Sequence, residues 1–186
     1  TAWKDCMAGA SRGVKSQNPE WSFRRLFFLS TKLNDPFQAK FQAVCSAAGG
    51  DFHRSDVKAE ARALQKVFRS YGGDFRRLCD LVRTTLVFDD LAGVTACLRL
   101  IAADPEIEVL RVSDEKMRLR EGFDAARKSG GYRDVQLSVR LQTAEAVARG
   151  VDGVVAEVQL HVRAVYELKS DGGHALYKLI RNMKAA

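Results

Sequence analysis

The apolar positions change period part-way along the chain. Up to about residue 75 they recur every three or four residues, the spacing of a helix face. Asn18-Pro19-Glu20 reads as a helix start: an N-cap, a proline at the first helical position and an acid in the first turn. It predicts a helix to about Leu33. Asp35-Pro36 repeats the signal and predicts a second helix, closed by Gly49-Gly50. Ser55 is the expected cap of a third, which ends at Gly72-Gly73 and carries the stripe Val57, Ala61, Leu64, Phe68 and Tyr71.

Beyond that point the pattern alternates. Leu81–Phe88 is rich in β-branched residues and predicts a strand. Asp90 caps a helix to about Ala103, which Pro105 closes, and Ile107–Val112 is a second strand. The charged stretch 114–128 is expected to be helix or ordered loop. Tyr132–Leu141 and Val154–His161 are the next strands, separated by a loop at Gly150–Gly153. A final helix is expected after His161, re-capped at Gly172-Gly173. The pattern predicts an α+β fold: a mixed sheet of about four or five strands with flanking helices and an N-terminal helical portion. The expected division is an N-terminal helical extension over 1–54 and a domain over 55–186.

Composition narrows the class. The chain has 186 residues, 46% hydrophobic and 28% charged, which excludes disorder and suits one packed domain. No apolar run approaches the ~20 residues of a membrane span. Thirty Lys and Arg against 23 Asp and Glu give a net charge of +7, which favours an anionic partner: nucleotide, nucleic acid, or the surface of a larger assembly. A solvated basic surface is the alternative. Cys6, Cys45, Cys79 and Cys97 form no CxxC pair, and no histidine stands at zinc-finger spacing from them. They are expected to be small buried residues in a reducing, intracellular compartment, cytoplasmic or organellar. Because the chain begins at Thr1, it is expected to be a fragment or a processed form.

Two constellations carry candidate chemistry. In Val154–His161 the residues Glu157, Gln159 and His161 share one strand face, and in Tyr132–Leu141 the residues Tyr132, Asp134, Gln136, Ser138 and Arg140 share another. If both strands lie in one sheet, the polar faces coincide, as a solvated surface or as a concave site. Lys58, Arg62 and Lys66 stand four apart, expected on one helix face, and Asp80 opens the next strand. Cations that neutralise phosphate beside a carboxylate that holds Mg²⁺ are what a metal–polyphosphate requires. A solvated basic helix face is again the alternative.

In order along the chain, Lys66, Asp74-Phe75, Asp80-Leu81-Val82, Lys128-Ser129-Gly130-Gly131-Tyr132 and Glu157-Val158-Gln159-Leu160 resemble the motifs of RelA/SpoT-like nucleotidyltransferases, the pyrophosphokinase domains that make (p)ppGpp. The likeness spans about residues 56 to 181, roughly two thirds of the chain. It is closer to a divergent branch found in large eukaryotic proteins, on Asp80-Leu81-Val82-Arg83, Gly131-Tyr132-Arg133-Asp134-Val135, Glu157-Val158-Gln159-Leu160-His161, Leu168-Lys169, Gly173-His174 and Tyr177. The resemblance implies a nucleotidyltransferase-like fold. It implies that Asp80 and Glu157 are catalytic and hold Mg²⁺ within one cleft, and that Tyr132 stacks on a guanine. It also implies that Lys58, Arg62, Lys66 and Lys128 contact phosphates, with Arg83 and Gln159 lining the nucleotide.

The chain also departs from the synthetase pattern. Asp56 and Arg62 stand where an arginine and a serine are expected before Lys66, and Thr85 stands for the strand arginine, with Arg83 two residues away. Asp134 and Gln136 replace the serine and histidine after the Gly-Tyr pair, and His161-Val162 replaces Arg-Thr. Both acids are kept and several phosphate ligands are lost. The expected function is therefore a catalytically silent domain of this kind, a nucleotide-binding or interaction module in a larger assembly with protein partners. The alternatives are an active Mg²⁺-dependent pyrophosphokinase acting from ATP on a nucleotide acceptor, and an RNA-binding domain.

Overall fold

The computed structural model describes residues 18–19, 22–119, 121–129 and 132–168. Helix α1 (Phe23–Ala47) is followed by strand β1 (Asp51–His53), helix α2 (Glu60–Tyr71), a 3₁₀ turn (Phe75–Arg77) and β2 (Arg83–Phe88). Then come α3 (Leu91–Ala103), β3 (Ile107–Met117), α4 (Ala125–Ser129), β4 (Val135–Leu141), α5 (Ala144–Ala148), β5 (Ala156–Val162) and α6 (Arg163–Leu168). The strands form one five-stranded sheet in the order β1-β2-β5-β4-β3. β2 and β5 are parallel and the other neighbours antiparallel, so the sheet is mixed. The α+β architecture agrees with the sequence pattern. Among the described residues no helix is long and apolar enough to cross a membrane.

One sheet face is apolar. Thr84, Leu86 and Phe88 of β2, Leu137 and Val139 of β4 and Val158 and Leu160 of β5 are buried on it. Helices α1 and α3 cover this face. Leu26, Leu33, Phe37 and Phe41 of α1 and Cys97 and Ile101 of α3 are fully buried in the same cluster as the strands. Asp90 caps α3 by accepting the Gly93 N–H at 2.9 Å, as its position in the sequence predicts.

Several elements differ from the sequence expectation. The first two predicted helices are one helix of 25 residues that runs through Pro36. Its cap is Ser22, which accepts from the Arg25 N–H, and not Asn18. A proline inside a helix costs about 3 kcal/mol. Here the stripe of fully buried residues on both sides of Pro36 offsets that cost, helped by buried polar neighbours. Gln38 Nε2 donates to the carbonyls of Arg83 at 2.9 Å and Ser55 at 3.0 Å. The third helix starts at Glu60, not after Ser55, and buries Ala63 and Val67. The expected stripe is out of phase, since Phe68 is 68% exposed. Strand β1 was not predicted; it is three residues long and exists through its pairing with β2. Residues 114–117 continue β3 rather than forming helix or loop. The predicted re-capping at Gly172-Gly173 and the residues Lys169, Gly173, His174 and Tyr177 lie outside the described residues.

Candidate functional site

The opposite sheet face is polar, and the register aligns its side chains. Facing residues across neighbouring strands share a face. Gln136 pairs with Gln159 and Ser138 with Glu157 between β4 and β5. Arg83 pairs with Glu157, and Thr85 with Gln159, between β2 and β5. Arg111 of β3 pairs with Ser138. One transverse row therefore reads Arg111, Ser138, Glu157, Arg83, with strands ~4.8 Å apart. The polar faces of the two strands coincide, as their alternation predicted. Glu157 is 9% exposed, and its Oε1 accepts from Gln159 Nε2 at 2.6 Å.

The basic side chains converge on Asp80 by a route the sequence did not show. Lys58 lies in the segment before α2, where its N–H donates to the Leu81 carbonyl at 2.9 Å. Lys66 comes from α2 itself. Both ammonium groups donate to Asp80 Oδ2, Lys66 at 2.7 Å. Arg62 is solvent-exposed on α2, so the three cations do not form one helix face. Asp80 is 9% exposed, and its Oδ1 makes no hydrogen bond among the described residues. Burial alone would raise the Asp80 pKa, but Lys66 and Lys58 outweigh it and hold the carboxyl at about 2. Burial also dominates at Lys58 and, with Lys66 and Arg83 nearby, pushes its ammonium down. Partial burial would lower the Lys66 pKa as well, yet Asp80 holds it up.

The two carboxylates are delivered by adjacent backbone. The Glu157 N–H donates to the Val82 carbonyl at 3.0 Å, two residues beyond Asp80. Tyr132 lies farther along the same face. Its hydroxyl is 3.4 Å from His161 Nε2, and the rings meet edge to face with centroids 5.6 Å apart. The Arg118 guanidinium lies over the Tyr132 ring at 5.3 Å and forms an ion pair with Asp134 at 2.5 Å. Asp134 is fully buried and also accepts from Gln136 at 2.7 Å. Burial pushes the Asp134 carboxyl up, against Arg118, Gln136 and Tyr132. Burial, followed by the charge of Asp134, pushes the Tyr132 phenol well above its ordinary value. Lys128 belongs to α4, and its side chain lies outside the described residues.

No protein-family model matches the sequence, and no curated protein matches it. Solved structures do resemble it. The small alarmone synthetase 1 of Bacillus subtilis bound to its product pppGpp matches with a TM-score of 0.57 at 16% identity, over 82% of this chain and 80% of that one. A GTP pyrophosphokinase family protein from Streptococcus pneumoniae matches with a TM-score of 0.58 at 15% identity, over 81% and 75%. The fold is that of a RelA/SpoT-like nucleotidyltransferase domain. The complex between the type VI effector Tas1 and its immunity protein also matches, with a TM-score of 0.51 at 19% identity. This chain, matched over 75% of its length, spans 60% of the chain there.

On this RelA/SpoT-like fold several of the sequence-derived candidates come together. Lys58, Lys66 and Asp80 make direct contacts, and Arg83, Glu157 and Gln159 lie beside one another on β2 and β5. Tyr132 is on the same face but packed against Arg118 and His161. Arg118 was not a candidate. Nothing local marks it, because its importance comes from an ion pair across 16 residues. Arg111 was missed for a related reason: only the β3–β4 register brings it level with Glu157.

Proposed function

We propose that this domain binds a magnesium–nucleoside triphosphate of the ATP or GTP class without transferring its pyrophosphate, and serves as a nucleotide-binding module of a larger assembly with protein partners. The observation that carries this reading is the Asp80 carboxylate, which is buried, has two lysines on one oxygen and leaves the other oxygen without a hydrogen bond among the described residues. An orphaned buried oxygen is costly and suits a cation. A standing cage of three His, Cys, Asp or Glu ligands is not found among the described residues. The donor set is instead two carboxylates, Asp80 and Glu157, a number magnesium takes when phosphates complete its shell. Bound there, the metal would neutralise phosphate oxygens. Lys58 and Lys66 would turn from Asp80 to those phosphates, with the exposed Arg83 beside them.

Silence is supported by the acceptor side. The family resemblance puts a guanine on Tyr132, but the protein's own Arg118 covers that ring and Asp134 is buried next to it. The retention of Asp80 and Glu157 on adjoining backbone favours the active alternative, and one experiment separates the two. Binding calorimetry with ATP and GTP, beside a turnover assay with ATP and a panel of nucleotide acceptors, is run in magnesium and in excess chelator. The expected result is magnesium-dependent binding with no product. Product formed only with magnesium establishes the active enzyme, and absence of binding removes both readings.

Lys66 offers a narrower check. Lys66→Ala is expected to weaken nucleotide binding by about 1–3 kcal/mol, the loss of a charge-assisted hydrogen bond to phosphate. Calorimetry that returned wild-type affinity for this variant would assign Lys66 to Asp80 alone.

A further inference from the structure

Asn18 lies outside every helix and strand, yet it is only 2% exposed. Its backbone N–H donates to the Arg76 carbonyl at 2.8 Å. Its side-chain Nδ2 donates to the Leu78 carbonyl at 2.7 Å, and its Oδ1 accepts the Val155 N–H at 2.8 Å. These bonds reach across 60 and 137 residues of sequence. Leu78 stands two residues before Asp80, and Val155 stands two residues before Glu157. Both ends of one amide thus hold the two segments that deliver the two carboxylates.

We propose that Asn18 is a positioning residue that sets the separation of Asp80 and Glu157, so that both meet one magnesium–nucleotide. This assignment rests on the reading of that site given above. The Asp80 segment has other ties: the Glu157 N–H donates to the Val82 carbonyl, and the Lys58 N–H, from the segment before α2, donates to the Leu81 carbonyl. Both of these lie on the strand side of Asp80. Asn18 supplies the tie on the other side, so the turn carrying Asp80 is fixed at both ends. Leu78 and Val155 are fully buried, so no solvent stands ready to take the place of the amide.

The test uses magnesium–ATP and ATP in chelator, titrated calorimetrically into the full chain. Asn18→Ala removes both bonds. Asn18→Ser introduces no charge, and its one short hydroxyl cannot span Leu78 and Val155, so it serves if the alanine variant fails to fold. Each is expected to weaken magnesium–ATP at least about tenfold while changing ATP in chelator less than about twofold. In a Glu157→Gln background, where no second carboxylate remains to be placed, the same change should cost less than about twofold. An equal loss in both backgrounds, or unchanged magnesium–ATP affinity in the single variants, overturns the assignment.

Amide hydrogen exchange gives a readout independent of nucleotide. In Asn18→Ser the Val155, Glu157 and Lys58 amides are expected to exchange at least about tenfold faster, while Val139 and Leu141 in β4 stay as in the wild type. If the wild type binds no magnesium–ATP, the reading of the site falls and exchange alone decides. Acceleration confined to Val155, Glu157 and Lys58 keeps Asn18 as the link between the two segments. Uniform or absent acceleration removes it.

Discussion

Asp80→Ala is expected to destabilise the fold by about 3 kcal/mol and to abolish magnesium-dependent nucleotide binding. Breaking a buried ion pair by removing one partner costs about 3–5 kcal/mol, because the other charge stays behind without compensation. Here two charges stay behind. The Lys58 side chain is 13% exposed and has no easy route to water, whereas that of Lys66 is 32% exposed and can swing outward. The lower end of the range follows. Asp80→Asn keeps an acceptor for one lysine and should cost less. Urea unfolding of the three proteins measures the difference.

The same carboxylate sets an acid limb. Asp80 is held at about 2 in the folded protein against an ordinary value of 3.8. The unfolded chain therefore takes up the proton first, and acid favours unfolding. The stabilisation, about 2 kcal/mol, is fully present above pH ~4 and is lost as the pH falls through 3.8 towards 2. Lys58 and Lys66 carry their protons in the folded and the unfolded chain alike throughout this window, so neither adds to the slope and the acid limb is assigned to Asp80. The stability gap between the wild type and Asp80→Ala should narrow across that window. A gap that is constant from pH 7 to 3 would show that Asp80 is not the titrating group.

A chain beginning at residue 55 is expected not to fold. It lacks α1, whose Leu26, Leu33, Phe37 and Phe41 are fully buried against the sheet, and it lacks β1, which pairs with β2. Phe37→Ala probes the same interface in the whole chain, and a lost core phenylalanine costs about 3–5 kcal/mol. That is a large fraction of the about 5–15 kcal/mol by which a domain is stable. Circular dichroism decides the point: a cooperative thermal transition in the 55–186 chain would support the expected boundary at residue 54.

The division between local and tertiary information runs through particular residues. Period-two alternation in Val135–Leu141 states which side chains share a face, and that statement needs no partner strand. The cap at Asp90 was equally legible, because a carboxylate reaching an N–H three residues on is a local event. Lys58, Lys66 and Asp80 could be named because their types suit phosphate and metal wherever they lie, whereas Glu157 was singled out by the motif resemblance. Their contacts could not be read. Lys58 reaches Asp80 from a segment that is not helical, and Arg62, four residues on, points to solvent.

The sequence by itself determined the class of fold and the polar sheet face, since these follow from side-chain type and from spacing over a few positions; that Asp80 and Glu157 belong to one site was only what the motif resemblance implied. The tertiary structure decided that α1 runs through Pro36, because burial of Leu33, Phe37 and Phe41 outweighs the local signal for a new helix start at Asp35-Pro36. It decided the row Arg111, Ser138, Glu157 and Arg83, because strand register is set by which apolar residues meet across the sheet. It also decided that Asn18, which reads locally as a helix cap, joins the Asp80 turn to the start of β5. That role depends on two partners far away in sequence, and only the folded backbone brings them together.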